Sequence, residues 1–227
     1  MACRNFLFDL DGTLTDPAEG ITNSLMFAQK KLGMPVSKRE DLFIFIGPPL
    51  IPMFHSEWGL NDADSERALL AYREYFSGKG IFENEVYPGI VEMLSALRAA
   101  GANLYLASSK PEPFCIKILE HFGLLPYFNG VAGSLLNETR TTKGEVIAYA
   151  LEHYGLEPAE TLMVGDRRHD AEGAHANGLE CAGVLFGYGG EKELKEAGCC
   201  AILASPADLT RYLLSAMGAQ SPKKFSL

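Results

Sequence analysis

From Pro88 onward, short apolar runs alternate regularly with longer segments of helical spacing that end at glycines such as Gly101 and Gly123. The apolar runs are NLYLA (103–107), GVAG (130–133), TLMVG (161–165), AGVL (182–185) and AIL (201–203). Because parallel strands need a crossover between them, usually a helix, this alternation predicts an α/β fold with a doubly wound parallel sheet.

One further strand is predicted near the start of the chain, in the apolar stretch FLFDL at 6–10. The residues that follow it have helical spacing and no convincing alternating strand. Asp16 with Glu19, and Asn61 with Asp64, are typical of helix starts. We therefore predict a helical cap domain inserted directly after the first strand.

The predicted domain boundaries follow from these changes of pattern. They are 1–14 for the first strand and its loop, 15–87 for the helical cap, 88–220 for the α/β core and 221–227 for a flexible tail.

Composition excludes several classes of protein. The 227 residues carry a formal net charge of −9, which argues against a partner that is a nucleic acid polymer. The five cysteines include no C-x-x-C pair, so reduced thiols are expected and a zinc site is not. Neither a signal-peptide pattern nor an apolar stretch of ~20 residues is present, so we expect a cytoplasmic protein without a membrane partner.

Polar side chains cluster where the predicted strands end. In chain order they are Asp9, Asp11, Ser108, Ser109, Lys110 and Asp166. Asp170 lies at the start of the next helix, and Lys143 lies at the start of another helix that points to the same edge. In open parallel sheets, ligands bind at this edge, beyond the carboxyl ends of the strands. The sequence therefore predicts one polar site there.

Carboxylates gathered in one crevice repel one another unless a cation lies among them. Oxygen ligands without histidine or cysteine at matching spacing favour Mg²⁺, which a substrate phosphate commonly completes. His169 and His175 are six residues apart and do not share a helical face. A magnesium cofactor is the expectation.

Four motifs resemble those of the haloacid dehalogenase-like hydrolase superfamily in order and context. They are DLDGT (9–13), the strand ending in SS (108–109), Lys143 and GDRRHD (165–170). The resemblance covers the whole chain, and the segment 15–87 resembles the type-1 cap of that superfamily. Within it, DGTLTDPAEGI, FIGPPL, YREYF and GIFENEVYPGI are similar to bacterial phosphoglycolate phosphatases and a 5′-nucleotidase-like group.

The resemblance implies catalytic and metal-binding roles. Asp9 is expected to be the nucleophile that forms an aspartyl-phosphate, and Asp11 the general acid and base. Ser108 and Lys143 are expected to hold the phosphoryl oxygens. The implied metal ligands are Asp9, the backbone carbonyl of Asp11, Asp166 and, directly or through water, Asp170.

Substrate contacts are also implied, with alternatives left open. Gly12 and Thr13 follow the nucleophile, and the amides of this loop are expected to cradle phosphate. Ser109, with Lys110, either belongs to the phosphate loop or lies outside it. Arg73 either reaches substrate or is a solvated cap residue, and Ser108 has the alternative role of a helix N-cap.

The expected function is hydrolysis of a small phosphorylated metabolite by a monomer or homodimer. A phosphomutase resembling β-phosphoglucomutase is an alternative, since it shares this core and cap. A phosphate-binding protein without catalysis is another. Dehalogenation is disfavoured, because Asp11 has no use in attack on a carbon–halogen bond.

Overall fold

The computed structural model describes residues 3–137 and 139–218 of the chain. Its strands are β1 (Asn5–Phe8), β2 (Thr15–Asp16), β3 (Glu85–Val86), β4 (Asn103–Pro111), β5 (Gly130–Ser134), β6 (Thr161–Gly165), β7 (Glu180–Val184) and β8 (Ala201–Leu203). Its α-helices are α1 (Ala18–Lys31), α2 (Leu50–Trp58), α3 (Asp62–Phe76), α4 (Ile90–Ala99), α5 (Glu112–His121), α6 (Lys143–Tyr154), α7 (Arg168–Ala176), α8 (Glu191–Glu196) and α9 (Pro206–Gly218).

Six of these strands form one parallel sheet in the order β5-β4-β1-β6-β7-β8. At its centre, β1 pairs with β6 in the register Asn5↔Thr161 to Phe8↔Val164. The chain runs outward from β1 through β4 to β5, and then continues on the other side from β6 to β8. The order reverses between β1 and β6, and in such sheets the crevice beyond this point binds the ligand.

Helices cover both faces of the sheet. Phe6 and Phe8 point to one face, in a cluster that includes residues of α4, α5 and α9. Leu7 points to the other face, where it packs with Met163 and with residues of α6 and α7. Alternate side chains of a strand point to opposite faces, so burial on both sides requires apolar residues at every position. The predicted fold class is confirmed.

A helical segment containing α1, α2 and α3 leaves the sheet after β1. Its two ends are joined by an antiparallel ribbon in which Thr15 pairs with Val86 and Asp16 with Glu85. α1 packs against α3, and a 3₁₀ helix at Glu40–Phe45 lies between α1 and α2. The chain thus enters and leaves the helical segment through the two paired strands of the ribbon.

Residues 15–87 are not helical from end to end as predicted, because the ribbon contains two strands of two residues each. Such strands are too short to show alternation. Asp16 is not a helix N-cap: it lies in β2, and its Oδ1 accepts a hydrogen bond from the backbone N–H of Ala18 at 3.0 Å.

The exact domain boundaries stay a prediction, and the predicted tail at 221–227 lies outside the described residues. Within the described ranges, no helix combines the length and the apolar character needed to cross a bilayer.

The N-cap of α3 provides a test of local stability. Oδ1 of Asn61 accepts a hydrogen bond from the backbone N–H of Asp64 at 2.9 Å, as the sequence predicts. We expect Asn61→Ala to lower the free energy of unfolding by about 1 kcal/mol, because a helix amide loses its acceptor. Urea denaturation measures this loss. Glu66→Gln, an exposed change in the same helix, should stay within about 0.5 kcal/mol of the parent, and equal losses would contradict the capping role.

Candidate active site

The loop after β1 presents two carboxylates at the carboxyl edge of the sheet. The backbone N–H of Asp9 donates to the carbonyl of Val164 on β6 at 2.9 Å, which extends the strand pairing. The chain then turns at Gly12, whose φ is +81°. Asp9 and Asp11 are only 4% and 6% exposed. Each therefore needs an opposite charge nearby.

Lys143 pairs with Asp9. It begins α6, directly after the N-cap Thr142. Its Nζ lies 2.7 Å from Oδ1 of Asp9 and 2.9 Å from Oδ1 of Asp170, and it donates to the carbonyl of Ala107 at 2.9 Å. Burial alone would lower the pKa of Lys143, but the two carboxylates raise it above its ordinary value. The ammonium group therefore stays charged in the interior.

Lys110 pairs with Asp11. Its Nζ lies 2.6 Å from Oδ2 and 2.7 Å from Oδ1 of that carboxylate, and 5.0 Å from the ring centroid of Phe76 in α3. Burial raises the pKa of Asp11, the charge of Lys110 opposes that rise, and Asp9 adds to it. Sequence patterns did not predict this ion pair, and the position of Lys110 at a strand end was the available signal.

Asp166 follows β6 and is fully buried. Its Oδ2 accepts a hydrogen bond from the backbone N–H of Tyr188 at 2.7 Å, and its Oδ1 accepts one from the hydroxyl of Thr13 at 3.4 Å. Burial raises the pKa of Asp166 well above its ordinary value, and the carboxylates of Asp170 and Asp9 raise it further. The ionised form of Asp166 therefore requires a cation.

Three of the carboxylates are arranged to share one ion. Oxygens of Asp9, Asp166 and Asp170 lie within 4.8 Å of one another, and all three residues are buried. Burial raises the pKa of Asp170 to about 6, although Lys143 opposes the rise. These residues could hold a metal ion.

The balance of buried charge indicates the valence of that ion. The site holds four carboxylates and two ammonium groups, so with every group ionised the formal charge is −2 over Asp9, Asp11, Asp166, Asp170, Lys110 and Lys143. A divalent cation would balance this charge, and carboxylate oxygens suit a hard one.

Ser108 and Ser109, at the end of β4, line the same cleft as Asp9 and Asp11. The hydroxyl oxygen of Ser108 accepts a hydrogen bond from the backbone N–H of Lys110 at 3.4 Å. The alternative that Ser108 caps a helix is wrong, because α5 begins three residues too late for that role.

The helical segment forms the opposite wall of the cleft. Arg73 of α3 lines this wall, and its Nη1 donates to the carbonyl of Leu136 at 3.1 Å. Most of the remaining wall is apolar, with side chains of Ile21, Phe45, Leu50, Leu69, Tyr72 and Phe76, and Phe114 of α5 adjoins it from the core. The cleft is thus charged at the sheet edge and apolar toward the helices.

Gly12 and Thr13 lie against Asp166. A Cβ on Gly12 would lie 2.6 Å from Cγ of Asp166 and closer still to one carboxylate oxygen. The glycine therefore allows Asp166 to approach the loop that carries Asp9.

Comparison with known proteins identifies a matching family and several relatives. A family model described as haloacid dehalogenase-like hydrolase matches residues 6–184. A 5′-nucleotidase of Pseudomonas aeruginosa is 47% identical over 191 residues, which cover 84% of this chain and 86% of that protein. Other relatives, at 27–28% identity, are named phosphoglycolate phosphatase.

Two further matches extend the comparison. The tyrosine-protein kinase PtkA of Mycobacterium tuberculosis is 40% identical over 183 residues, which cover 81% of this chain and 62% of that protein. The crystal structure of a predicted phosphatase from Clostridium acetobutylicum is 41% identical, with a TM-score of 0.93, and the match covers 95% of this chain and 100% of that chain.

The approach of Gly12 to Asp166 can be tested with a matched glycine. Gly101 has a φ of +88° and nothing within 4 Å of a Cβ, so Gly101→Ala strains the backbone alone. Gly101→Ala should lose about 1–2 kcal/mol of stability, and Gly12→Ala should lose more, because its Cβ also collides with Asp166. We expect Gly12→Ala alone to weaken binding of a divalent cation, by about tenfold or more, because it displaces Asp166. Isothermal calorimetry measures this, and equal cation affinities in the two variants would contradict the expectation.

Proposed function

The chain belongs to the haloacid dehalogenase-like hydrolase family and is a phosphatase, and from this premise we propose that it hydrolyses small phosphomonoesters with Mg²⁺ through an aspartyl-phosphate. The observation that carries the proposal is the position of Asp9. Its carboxylate lines the cleft, pairs with Lys143 at 2.7 Å and lies within the carboxylate group suited to a metal.

Asp9 is the proposed nucleophile. One of its carboxylate oxygens attacks phosphorus, and the bond from phosphorus to the leaving oxygen breaks. Water then attacks the aspartyl-phosphate and releases inorganic phosphate and the free carboxylate. Division into two displacements suits a rigid site, since phosphoryl transfer depends mainly on position and electrostatics.

Asp11 is the proposed acid and base. It gives a proton to the leaving oxygen and recovers one from the attacking water. Burial raises its pKa, which is the direction that a proton donor needs. Lys110 contacts both oxygens of Asp11 and so fixes the orientation of the carboxylate.

Lys143 and Ser108 are the proposed phosphate ligands. Lys143 also offsets the charge of Asp9, so that a phosphate dianion can approach a carboxylate. Asp9, Asp166 and Asp170, with the backbone carbonyl of Asp11, are proposed to hold Mg²⁺. When bound, Mg²⁺ would neutralise charge on the phosphoryl oxygens.

The apolar wall of the cleft favours a nucleoside 5′-monophosphate as substrate. Tyr72, Phe76 and Phe114 offer aromatic surface on which a base can pack. A relative 47% identical to this chain is named 5′-nucleotidase, which supports the same choice. 2-Phosphoglycolate is the second proposed substrate.

The proposal also covers the substrates that are excluded, the cellular location and the oligomeric state. A cleft covered by helices excludes bulky leaving groups, so nucleic acid polymers are not proposed as substrates. A cytoplasmic location without a membrane partner, and a monomeric or homodimeric state, complete the proposal. Cell fractionation and light scattering test these points.

The function is tested by phosphate release from a panel of substrates. The panel contains nucleoside 5′-monophosphates, 2-phosphoglycolate, hexose phosphates and p-nitrophenyl phosphate, each with Mg²⁺ or with excess EDTA. We expect a nucleoside monophosphate to give one of the highest kcat/KM values, EDTA to abolish turnover and Mg²⁺ to restore it. Full activity after verified metal removal would disprove the magnesium requirement. Slow hydrolysis of a hexose phosphate, stimulated by its bisphosphate, would favour the phosphomutase.

The chemical roles are tested by isosteric substitution. Asp9→Asn should reduce turnover to background, because the amide cannot attack phosphorus. Asp11→Asn should lower kcat by about 10²–10⁴-fold, since the leaving oxygen lacks its proton donor. Asp62→Asn, whose side chain is 97% exposed in the cap, removes the same charge and should leave kcat unchanged. Near-normal turnover by a folded Asp9→Asn protein would refute the assignment of the nucleophile.

A further inference from the structure

Arg167 links the carboxylate site to the helical segment. It directly follows Asp166, and its backbone N–H donates to Oδ2 of Asp170 at 3.1 Å. Its side chain leaves the site in the other direction, where Nη1 donates to the backbone carbonyl of Ile46 at 2.9 Å. The backbone of Arg167 therefore lies among the predicted metal ligands, and its guanidinium bonds to the helical segment, which is the predicted cap.

We propose that Arg167 is a positioning residue that holds the cap loop, defined as residues 46–49, over the cleft and thereby determines substrate specificity. The proposal rests on the proposed phosphatase reaction. Gly47, Pro48 and Pro49 of the cap loop line the same cleft as Asp9. A contact that fixes the loop therefore shapes the space available to the leaving group.

The guanidinium is itself fixed. Nε of Arg167 donates to Oε1 of Glu193 at 2.9 Å, and the same oxygen accepts the backbone N–H of Arg168 at 2.9 Å. The side chain of Arg167 is only 15% exposed, so water competes weakly for its hydrogen bonds. Glu193 thus holds Arg167 in the direction of the cap.

The cap loop fits closely against this side chain. Gly47 has a φ of +105°, and a Cβ there would lie 3.3 Å from Cγ of Arg167. The glycine conformation turns the chain immediately after Ile46, whose carbonyl accepts the hydrogen bond. The stem of Arg167 therefore packs on the loop while its guanidinium bonds to it.

Tyr188 makes a second link in the same direction. Its backbone N–H donates to Oδ2 of Asp166 at 2.7 Å, its hydroxyl bonds to Asp16 in the ribbon, and its ring centroid lies 5.8 Å from that of Phe43. Two residues in contact with the carboxylate site thus reach the cap. The position of the cap and the geometry of the site are set by the same residues.

The kinetic experiment compares a substrate with a large leaving group and one with a small one. Arg167→Met retains the stem but removes both hydrogen bonds. We expect it to lower kcat/KM for a nucleoside 5′-monophosphate about tenfold, mainly through KM, since one charged donor is lost. Acetyl phosphate has a much smaller leaving group and should change by less than about threefold. Arg168→Met, an exposed neighbour, should change neither value.

Two milder variants keep the test decisive if Arg167→Met does not fold. Arg167→Lys retains a donor and should recover part of the lost kcat/KM. Glu193→Gln weakens the hydrogen bond that holds the guanidinium and should cause a smaller loss of kcat/KM for the nucleoside 5′-monophosphate. Equal losses for both substrates in these variants would overturn the proposal, because Arg167 would then act through Asp166 alone.

A measurement independent of activity separates this proposal from the proposed function. Amide hydrogen exchange, followed by mass spectrometry over residues 40–54, should be faster in Arg167→Met and Glu193→Gln and unchanged in Arg168→Met. Exchange as slow as in the parent protein would overturn the proposal. A parent protein that hydrolyses no phosphomonoester would refute the proposed function, while the exchange data would still decide whether Arg167 holds the cap loop.

Discussion

The ion pairs of Lys143 with Asp9 and Asp170 are the interaction on which the rest of the site depends. Asp9 follows β1, Asp170 lies in the first turn of α7, and the lysine begins a helix between them in sequence, so one ammonium group joins three segments of chain. Burial of carboxylates under a helical cap would be strongly unfavourable without this charge. The lysine compensates part of the negative charge, and Asp9, Asp166 and Asp170 together could hold a metal ion.

The sheet order explains why these groups meet. The strand order reverses between β1 and β6, and this leaves a crevice at their carboxyl ends, into which the loops carrying Asp9 and Asp166 both open. The helical segment leaves from the same place through the ribbon and covers the crevice. Exclusion of water by this cover strengthens the electrostatic contacts below it.

Much of the fold was predictable because its signals are local. Apolar runs, helical spacing and glycine stops are properties of neighbouring residues, and they identified the strands of the sheet and the helical character of residues 15–87. The misses have physical reasons. The ribbon is too short for a periodic pattern, and Asp16 is placed by its pairing with Glu85 across the ribbon, which is a distant contact.

The sequence by itself determined the α/β class, the helical insertion and the edge at which the carboxylates gather, since strand ends and motifs lie in order along the chain. Only the tertiary structure decided the partners of Lys110 and Arg167. Lys110 meets Asp11, and Arg167 meets Ile46, across separations of 99 and 121 residues. The periodicity of a sequence predicts whether a side chain is buried. The partner of that side chain depends on how distant elements cross and how closely their backbones approach.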